Sequence, residues 1–311
     1  MSKENHVKVA IIGAGPAGYT AALYCARADL EPVLFEGMDP GGQLTKAGVV
    51  ENYPGFYKGA PGMKMMDIFK KQAERFGTTM VPAVVDAVDF SKTPFELTVM
   101  GKAITADAVI IATGASARYL GLDSEEAYCY RGVSACATCD GPLYRGKKVV
   151  VIGGGDSAMD EAMTLAKFAD KVTIIHRRDE FRASKFMQKK TKENPKIETR
   201  LSYNVEEVLG DEMGVSGCRI KSAKDGSTEE IPCTGFFLAI GHNPNTGIFK
   251  GQIDLDDESF IITKPKSSET NIPGVFAAGD VQDPKYMQAV TSAGTGCMAA
   301  LDAEHWLLAK E

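Results

Sequence analysis

The chain repeats one feature, a glycine-rich turn set between a short apolar run and a helix-like segment, and this repeat limits the folds open to it. The first turn reads Gly13-Ala-Gly-Pro-Ala-Gly18, and the second, Gly153-Gly-Gly-Asp-Ser-Ala158, lies 140 residues further along. A strand that passes through glycine directly into a helix is typical of a βαβ unit in a parallel sheet. The repeat therefore predicts an α/β fold with two such units in one chain.

The segments around the two turns support this prediction. Runs rich in Val and Ile predict strands at 8–15, 147–155 and 171–177. The first turn leads into a predicted helix at 16–29, with Pro16 at its first position. The second turn leads into a predicted helix at 156–170, for which Asp156 is the expected N-cap.

Two further apolar runs mark the ends of the units. Residues 107–114 close the first unit, and a strand within 235–245 closes the second. The remaining segment, 247–311, contains a strand that leads to Asp280 and a long predicted helix from about Ser292. It is too short to build a third core, so we assign it to the first unit.

The first turn is followed by an acidic residue, Glu36, at the end of the next predicted strand. In a dinucleotide-binding unit Gly13 permits the tight turn, Gly15 lets a pyrophosphate approach the backbone, and Gly18 packs the helix on the strand. A carboxylate at the position of Glu36 accepts hydrogen bonds from the adenosine ribose and repels a 2′-phosphate. The first unit is therefore predicted to be Rossmann-like and to bind FAD or NAD rather than NADP.

The second turn has the opposite charge at the corresponding place. His176 ends the next strand there, and Arg177, Arg178 and Arg182 follow it. Residues 176–192 hold seven Lys or Arg and two Asp or Glu. A charge run alone is typical of a solvated helix face, but guanidinium groups at the ribose end of a dinucleotide fold offer planar donors to a 2′-phosphate. The second unit is therefore predicted to prefer NADPH over NADH.

One tight pair of cysteines lies in the sequence Cys136-Ala-Thr-Cys139-Asp140-Gly. Such a pair can be a redox disulfide, half of a zinc site, or chance. Structural zinc needs four ligands, and the chain has no second Cys-x-x-Cys and only scattered histidines, so no metal is predicted. The spacing suits a reversible disulfide, and the carboxyl of Asp140 can donate or accept the proton that dithiol chemistry moves.

Composition excludes several classes of function. The formal net charge of −6 disfavours nucleic-acid binding, which needs a cationic surface. The longest apolar stretches are far shorter than the roughly 20 residues of a transmembrane helix, and the polar start leaves no room for a signal peptide. We therefore expect a cytoplasmic protein that binds neither nucleic acid nor membrane.

The chain resembles the low-molecular-weight NADPH-dependent thioredoxin reductases in stretches that run nearly from end to end. The most specific is Cys-Ala-Thr-Cys-Asp-Gly at 136–141, and others are Gly-Gly-Gln-Leu at 41–44, His-Arg-Arg at 176–178 and Phe-Ala-Ala-Gly-Asp-Val at 276–281. The resemblance implies an oxidoreductase that acts on a sulfur group, and a homodimer.

The resemblance also implies a domain arrangement. Two Rossmann-like domains of the three-layer ββα type are expected, with the NADPH domain inserted into the FAD domain. The discontinuous FAD domain would comprise residues 1–115 and 246–311, and the NADPH domain, which carries the cysteine pair, residues 116–245.

A reaction follows from the same resemblance. NADPH reduces FAD, reduced FAD opens the Cys136–Cys139 disulfide, and the dithiol reduces oxidised thioredoxin through a mixed disulfide. On the family pattern Cys139 is the flavin-proximal sulfur, Cys136 attacks thioredoxin, and Asp140 donates and accepts the proton. Because the cysteines and the NADPH site share one domain, the pattern implies that one domain rotates against the other about unstructured crossings near 115 and 245.

The resemblance and the motifs together predict the residues that contact the two nucleotides. The FAD set is Gly13, Gly15, Pro16, Ala17, Glu36, Gly42, Gln43, Leu44, Asn52, Thr113, Gly279, Asp280, Gln288 and Ala289. The NADPH set is Gly153, Gly155, Asp156, Ser157, His176, Arg177, Arg178, Arg182 and Ile240. Pro142, Leu143 and Arg131 are expected to contact thioredoxin.

Two alternatives stay open at the level of sequence. Another flavin dithiol oxidoreductase of this fold would be fed by ferredoxin, linked to a peroxiredoxin, or would pass electrons to oxygen. The ferredoxin-fed and oxygen-using forms need no 2′-phosphate clamp, and the peroxiredoxin-linked form usually has an extra N-terminal thioredoxin-like region. A nonenzymatic redox sensor is the second alternative, and the complete cysteine motif argues against it.

Overall fold

The computed structural model describes residues 5–310. They form two compact units, of which one comprises the chain up to Ser116 together with the chain from Asn243, and the other is Ala117–His242. We call these unit 1 and unit 2, so that unit 2 is an insertion into the sequence of unit 1. No helix within 5–310 is long and apolar enough to cross a membrane.

The strands and helices follow one another in short segments. The strands are β1 (His6–Ile12), β2 (Val33–Phe35), β3 (Val49–Val50), β4 (Ala60–Pro61), β5 (Thr79–Val81), β6 (Val85–Asp89), β7 (Phe95–Val99), β8 (Lys102–Ile111), β9 (Ala115–Ala117), β10 (Val133–Ser134), β11 (Lys148–Ile152), β12 (Lys171–His176), β13 (Ile197–Leu201), β14 (Tyr203–Asp211), β15 (Gly214–Ser222), β16 (Thr228–Pro232), β17 (Gly235–Leu238), β18 (His242–Pro244) and β19 (Val275–Ala277). The helices are α1 (Pro16–Arg27), α2 (Gly62–Arg75), α3 (Asp123–Ala127), α4 (Ala137–Asp140), α5 (Asp156–Leu165), α6 (Lys185–Glu193) and α7 (Ala289–Leu308).

Unit 1 is built on a seven-stranded sheet in the order β5-β2-β1-β8-β7-β6, with β19 also paired to β8. Strands β5, β2, β1, β8 and β19 run parallel, β7 runs antiparallel to β8, and β6 runs antiparallel to β7. Strand β1 is buried on both faces, because Val9 and Ile11 pack into the cluster that contains α1 and α7 while Ala10 and Ile12 pack into a second cluster. This burial explains the unbroken apolar run of residues 9–12, since alternate side chains of a strand point to opposite faces.

Unit 2 is built on a parallel sheet in the order β10-β17-β11-β12-β13, accompanied by an antiparallel sheet of β14, β15 and β16. Val149 and Val151 pack against α5, whereas Val150 and Ile152 pack with residues of β15 such as Ile220. Helices, parallel sheet and antiparallel sheet thus make three layers, which confirms the predicted ββα arrangement.

Three local predictions differ from the structure. The N-cap of α5 is Gly155, not Asp156, because the carboxylate of Asp156 accepts hydrogen bonds from Ser184 instead of from its own helix. Helix α7 begins at Ala289, ahead of Ser292, where Gln288 and Thr291 form a capping box. The chain crossings between the units are not unstructured, since β9 and β18 pair as a two-stranded sheet.

Candidate active site

The two cysteines of the predicted redox pair are joined in a disulfide in unit 2, with their Cα atoms 5.3 Å apart. Cys136 precedes the short helix α4 in an extended conformation, and its sulfur accepts a hydrogen bond from the backbone N–H of Cys139 at 3.2 Å. A hydrogen bond to sulfur favours the thiolate over the thiol, so this amide stabilises the form of Cys136 that attacks disulfides.

The carboxyl group of Asp140 lies beside this pair and is tied to it through Ser134. The Ser134 hydroxyl donates to Asp140 Oδ2 at 2.7 Å and accepts from the Cys136 backbone N–H at 3.1 Å. Burial raises the pKa of Asp140, and the hydrogen bond from Ser134 opposes part of that rise. Asp140 can therefore hold a proton at a higher pH than an exposed aspartate does, within one turn of the reacting sulfurs.

The first glycine turn, in unit 1, packs β1 and α1 as closely as backbone allows. Gly13 has a φ of 109°, and a Cβ there would overlap the carbonyl oxygen of Ala112. A Cβ on Gly18 would overlap the carbonyl oxygen of Gly13, whereas a Cβ on Gly15 would meet nothing within 4 Å. A side chain or ligand atom would therefore find room beside Gly15, at the start of α1, and the N-terminus of a helix is a place that favours anions.

Glu36 is buried at the end of β2, and its charge is compensated within unit 1. Lys70 Nζ of α2 lies 2.6 Å from Glu36 Oε1, and the Tyr19 hydroxyl of α1 donates to the same oxygen at 3.0 Å. Burial, followed by the charge of Glu36, raises the pKa of Tyr19, so that this hydroxyl keeps its proton. Both partners bind Oε1 and fix the carboxylate at the place predicted to receive a ribose.

Other predicted FAD residues lie close to this turn within unit 1. Gly41 N–H donates to Ala14 O at 3.1 Å, and the Cβ position of Gly42 is 3.4 Å from Gly15 Cα. Asn52 donates through its side chain to Gln288 at 3.3 Å, next to Ala289 at the start of α7.

The remaining predicted FAD residues are held by hydrogen bonds of their own. The side chain of Gln43 donates to Ala115 O, and the Thr113 hydroxyl donates to Asn245 O at 2.9 Å. Asp280 follows Gly279, accepts from the Ser292 hydroxyl at 2.8 Å, and burial raises its pKa to about 6. Pro16 and Ala17 form the first turn of α1, and Leu44 packs on the same core cluster.

The second glycine turn, in unit 2, is covered by His176. A Cβ on Gly154 would overlap the His176 ring, which also stacks on Phe181 with ring centroids 5.5 Å apart. Burial and the charge of Arg182 lower the pKa of His176, so that the ring is neutral at pH 7. Its Nε2 atom is buried and has no hydrogen-bond partner among residues 5–310.

Three guanidinium groups follow this histidine. Arg177, Arg178 and Arg182 are exposed, and within 5–310 none of them forms an ion pair. A Cβ on Gly155 would meet nothing within 4 Å, so the start of α5 also faces open space. Both turns thus leave room beside the glycine that precedes the helix, and the second turn has exposed arginines nearby that could bind an additional phosphate.

Comparison with known proteins agrees with this geometry. The model of one protein family, pyridine nucleotide-disulphide oxidoreductase, matches residues 7–296. The chain belongs to this family.

Relatives of this oxidoreductase match it over nearly its whole length. Thioredoxin reductase of Vibrio cholerae is 51% identical, over 99% of this chain and 98% of that protein. A Pseudomonas fluorescens protein named glucosaminate ammonia-lyase is also 51% identical, over 99% of this chain and 98% of its own. Among solved structures, thioredoxin reductase from Giardia duodenalis superposes with a TM-score of 0.93 at 41% identity, over 98% of this chain and 100% of that chain.

Four side chains contact the predicted site residues of this oxidoreductase but are not predicted from the sequence. They are Tyr19, Lys70, Ser134 and Ser184. Only Ser134 carries a local signal, since it lies two residues before Cys136. Of the predicted NADPH residues, Asp156 turns to Ser184, Ser157 is exposed on α5, and Ile240 packs partly buried on the core of unit 2.

Proposed function

We propose that this protein is a thioredoxin-disulfide reductase that takes two electrons from NADPH, uses FAD, and acts in the cytoplasm. In the balanced reaction NADPH, one proton and the disulfide of thioredoxin give NADP⁺ and the thioredoxin dithiol. The observation that carries the proposal is the Cys136–Cys139 disulfide, which lies beside the proton-holding Asp140.

Unit 1 would hold FAD through the turn at Gly13–Gly18, with Glu36 on the adenosine ribose and Asp280 on the ribityl chain. Bound FAD supplies the two-electron chemistry that connects a nicotinamide to a disulfide. The protein contributes the open space before α1, the fixed Glu36 carboxylate and a buried carboxyl at Asp280. These features support FAD as the cofactor of unit 1.

Unit 2 would bind NADPH at the turn of Gly153–Gly155, with the 2′-phosphate on the three exposed arginines. Guanidinium groups bind phosphate through paired, charge-assisted hydrogen bonds, which NADH has no group to accept at this place. We therefore infer a preference for NADPH over NADH.

The dithiol made by reduction of the pair would pass its electrons to thioredoxin in two exchanges. Cys136, whose sulfur already accepts the Cys139 N–H, attacks thioredoxin as the thiolate and forms a mixed disulfide. Cys139 then attacks Cys136, which restores the internal disulfide and releases reduced thioredoxin. Asp140 takes up and returns the proton at the sulfurs, a role that its raised pKa suits.

Unit 2 also offers a surface for the partner. A cavity of about 500 Å³ is lined by residues that include Arg131, Leu143, Tyr144 and Met213. Leu143 is exposed although it is apolar, which supports contact with another protein. We propose that thioredoxin binds here, and that unit 2 turns about the paired strands β9 and β18 between the two half-reactions.

We also propose that the protein is a homodimer. Three apolar side chains of α7 are exposed and support this proposal, namely Val290, Leu301 and Leu308.

The test is anaerobic titration of the purified protein with NADPH and with NADH, followed by thioredoxin with insulin reduction as the readout. NADPH is expected to bleach the flavin at far lower concentration than NADH, and thioredoxin to support turnover. Cys136→Ser and Cys139→Ser are expected to lose turnover, whereas the matched variant Cys129→Ser, at a free cysteine of the same unit, is expected to keep it.

Two outcomes would contradict the proposal. If neither nucleotide reduces the flavin while reduced ferredoxin or a small dithiol does, the protein belongs to the alternative flavin dithiol enzymes. If it releases ammonia from glucosaminate without thioredoxin, it shares the activity named for its Pseudomonas fluorescens relative.

A further inference from the structure

The loop that carries the three arginines is bound to the second glycine turn by its own backbone. It runs from the end of β12 at His176 to the start of α6 at Lys185. The carbonyl oxygen of Gly154 accepts from Arg182 N–H at 2.8 Å and from Ala183 N–H at 3.0 Å. The arginines are therefore carried on a segment whose far end is fixed to the turn that would hold the pyrophosphate.

A second attachment involves side chains and joins the starts of two helices. Asp156, the first residue of α5, accepts at Oδ1 from the Ser184 N–H at 3.0 Å and from the Ser184 hydroxyl at 2.8 Å. The Ser184 hydroxyl accepts in turn from Met187 N–H at 3.4 Å and thereby caps α6. The two hydrogen bonds from Ser184 lower the pKa of Asp156, so that its carboxylate is the form present at pH 7.

Resting on the proposed function, we propose that Asp156 is a positioning residue for 2′-phosphate recognition: through Ser184 it holds the arginine loop in place, and it makes no bond to the nucleotide itself. The sequence placed Asp156 among the nucleotide contacts. A negative charge in the first turn of α5 would weaken binding of an anion there, and both hydrogen bonds that Oδ1 accepts come from Ser184.

Holding the loop matters because its arginine side chains are exposed and have no ion-pair partner within 5–310 to fix them. A free loop would lose conformational entropy on binding phosphate, and a fixed loop has lost it already. This saving in conformational entropy strengthens the binding only of ligands that contact the arginines. Removal of the Asp156–Ser184 pair is therefore expected to weaken ligands with a 2′-phosphate and to spare ligands without one.

The experiment measures binding to the oxidised holoprotein by calorimetry, without turnover. The probes are adenosine 2′,5′-bisphosphate, which carries the extra phosphate, and 5′-AMP, which lacks it. Asp156→Ala and Ser184→Ala are each expected to weaken the bisphosphate about tenfold and 5′-AMP less than twofold. Asp156→Asn separates charge from attachment, because an amide oxygen still accepts both hydrogen bonds, and this variant is expected to keep the wild-type ratio.

A matched control exists in the same unit. Ser227 donates to Asp225 Oδ1 through its N–H at 3.0 Å and its hydroxyl at 2.7 Å, the same arrangement in an exposed turn between β15 and β16. Ser227→Ala is expected to leave both affinities unchanged. Thermal unfolding of every variant separates lost binding from lost folding, and Asp156→Ala keeps the α6 cap intact.

Two results would overturn the inference. One is an unchanged ratio of the two affinities in both Asp156→Ala and Ser184→Ala. The other is an equal loss for both probes in Asp156→Ala, which would make Asp156 a contact of the shared part of the nucleotide. Failure of the proposed function is separate, since it would appear as absence of NADPH-driven thioredoxin reduction by the unaltered protein.

Discussion

The two glycine turns of this protein have the same strand-turn-helix arrangement, but the residues near them differ in charge. In unit 1 the strand after the turn ends in Glu36, buried and compensated by Lys70 and Tyr19. In unit 2 it ends in His176, whose neutral ring lies on Gly154 while nearby arginines stay in solvent. On the proposed function, each turn would hold the pyrophosphate of its nucleotide, and the residue that ends the next strand would select what the ribose end of the site accepts.

The largest expected difference is in how much stability a substitution costs at the third position of each turn, Gly18 in the first and Ala158 in the second. Gly18 has no room for a Cβ, because that atom would overlap Gly13 O, whereas Ala158 carries one and is fully buried. Gly18→Ala is expected to destabilise unit 1 by about 3 kcal/mol or more, since the clash is with backbone. Ala158→Gly is expected to cost about 1 kcal/mol through helix propensity. Chemical unfolding of both variants measures the contrast, and equal losses would show that the turns pack alike.

A second difference lies one turn further into each helix, where Glu161 of α5 corresponds to the fully buried Ala21 of α1. Glu161 Oε2 is buried with no hydrogen-bond partner within 5–310, and burial raises the pKa of this carboxyl to about 8. Between pH 4.5 and about pH 8 the Glu161 carboxyl keeps its proton in the folded protein but has released it in the unfolded chain. Stability is therefore expected to fall as the pH rises through this window.

Glu161→Gln removes the titration and makes the second helix more like the first. The variant is expected to gain about 1.4 kcal/mol relative to wild type for each unit by which the pH rises between about 5 and 8. Urea unfolding at several pH values provides the measurement. Glu161→Ala, which copies Ala21, is expected to flatten the pH dependence as well but to lose stability at pH 5 through the cavity it creates. A wild-type slope in both variants would contradict the assignment.

The smallest expected effect concerns the compensated charge of unit 1. Lys70→Met removes the cation 2.6 Å from Glu36 and is expected to raise the FAD dissociation constant about tenfold, because a hydrogen bond to a charged group contributes about 1.5 kcal/mol or more. The neighbouring Lys71, which is exposed and pairs with Asp67 at 2.7 Å, provides the control Lys71→Met with no expected change. Flavin fluorescence during reconstitution of the apoprotein reports both constants. A similar loss in the two variants would make the effect one of overall charge.

The sequence predicted the repeated framework because its signals are local. Apolar runs set β1, β11 and β12, and glycine sets the turns after β1 and β11. Side-chain partners were beyond reach where they come from distant segments. Ser184 reaches Asp156 from 28 positions away and removes it from its expected N-cap role. Lys70 reaches Glu36 from α2, and no sequence motif indicates this contact.

The pairing of β9 with β18 has a consequence for how such a chain can be assembled and altered. Because neighbouring strands lie about 5 Å apart, the chain leaves unit 1 and returns to it at almost the same point. A domain inserted between two adjacent chain ends can replace a loop without interrupting the sheet of the host unit. Unit 2 is thus a candidate for excision as a separate folding piece, with a short turn from Ser116 to Asn243 closing the host.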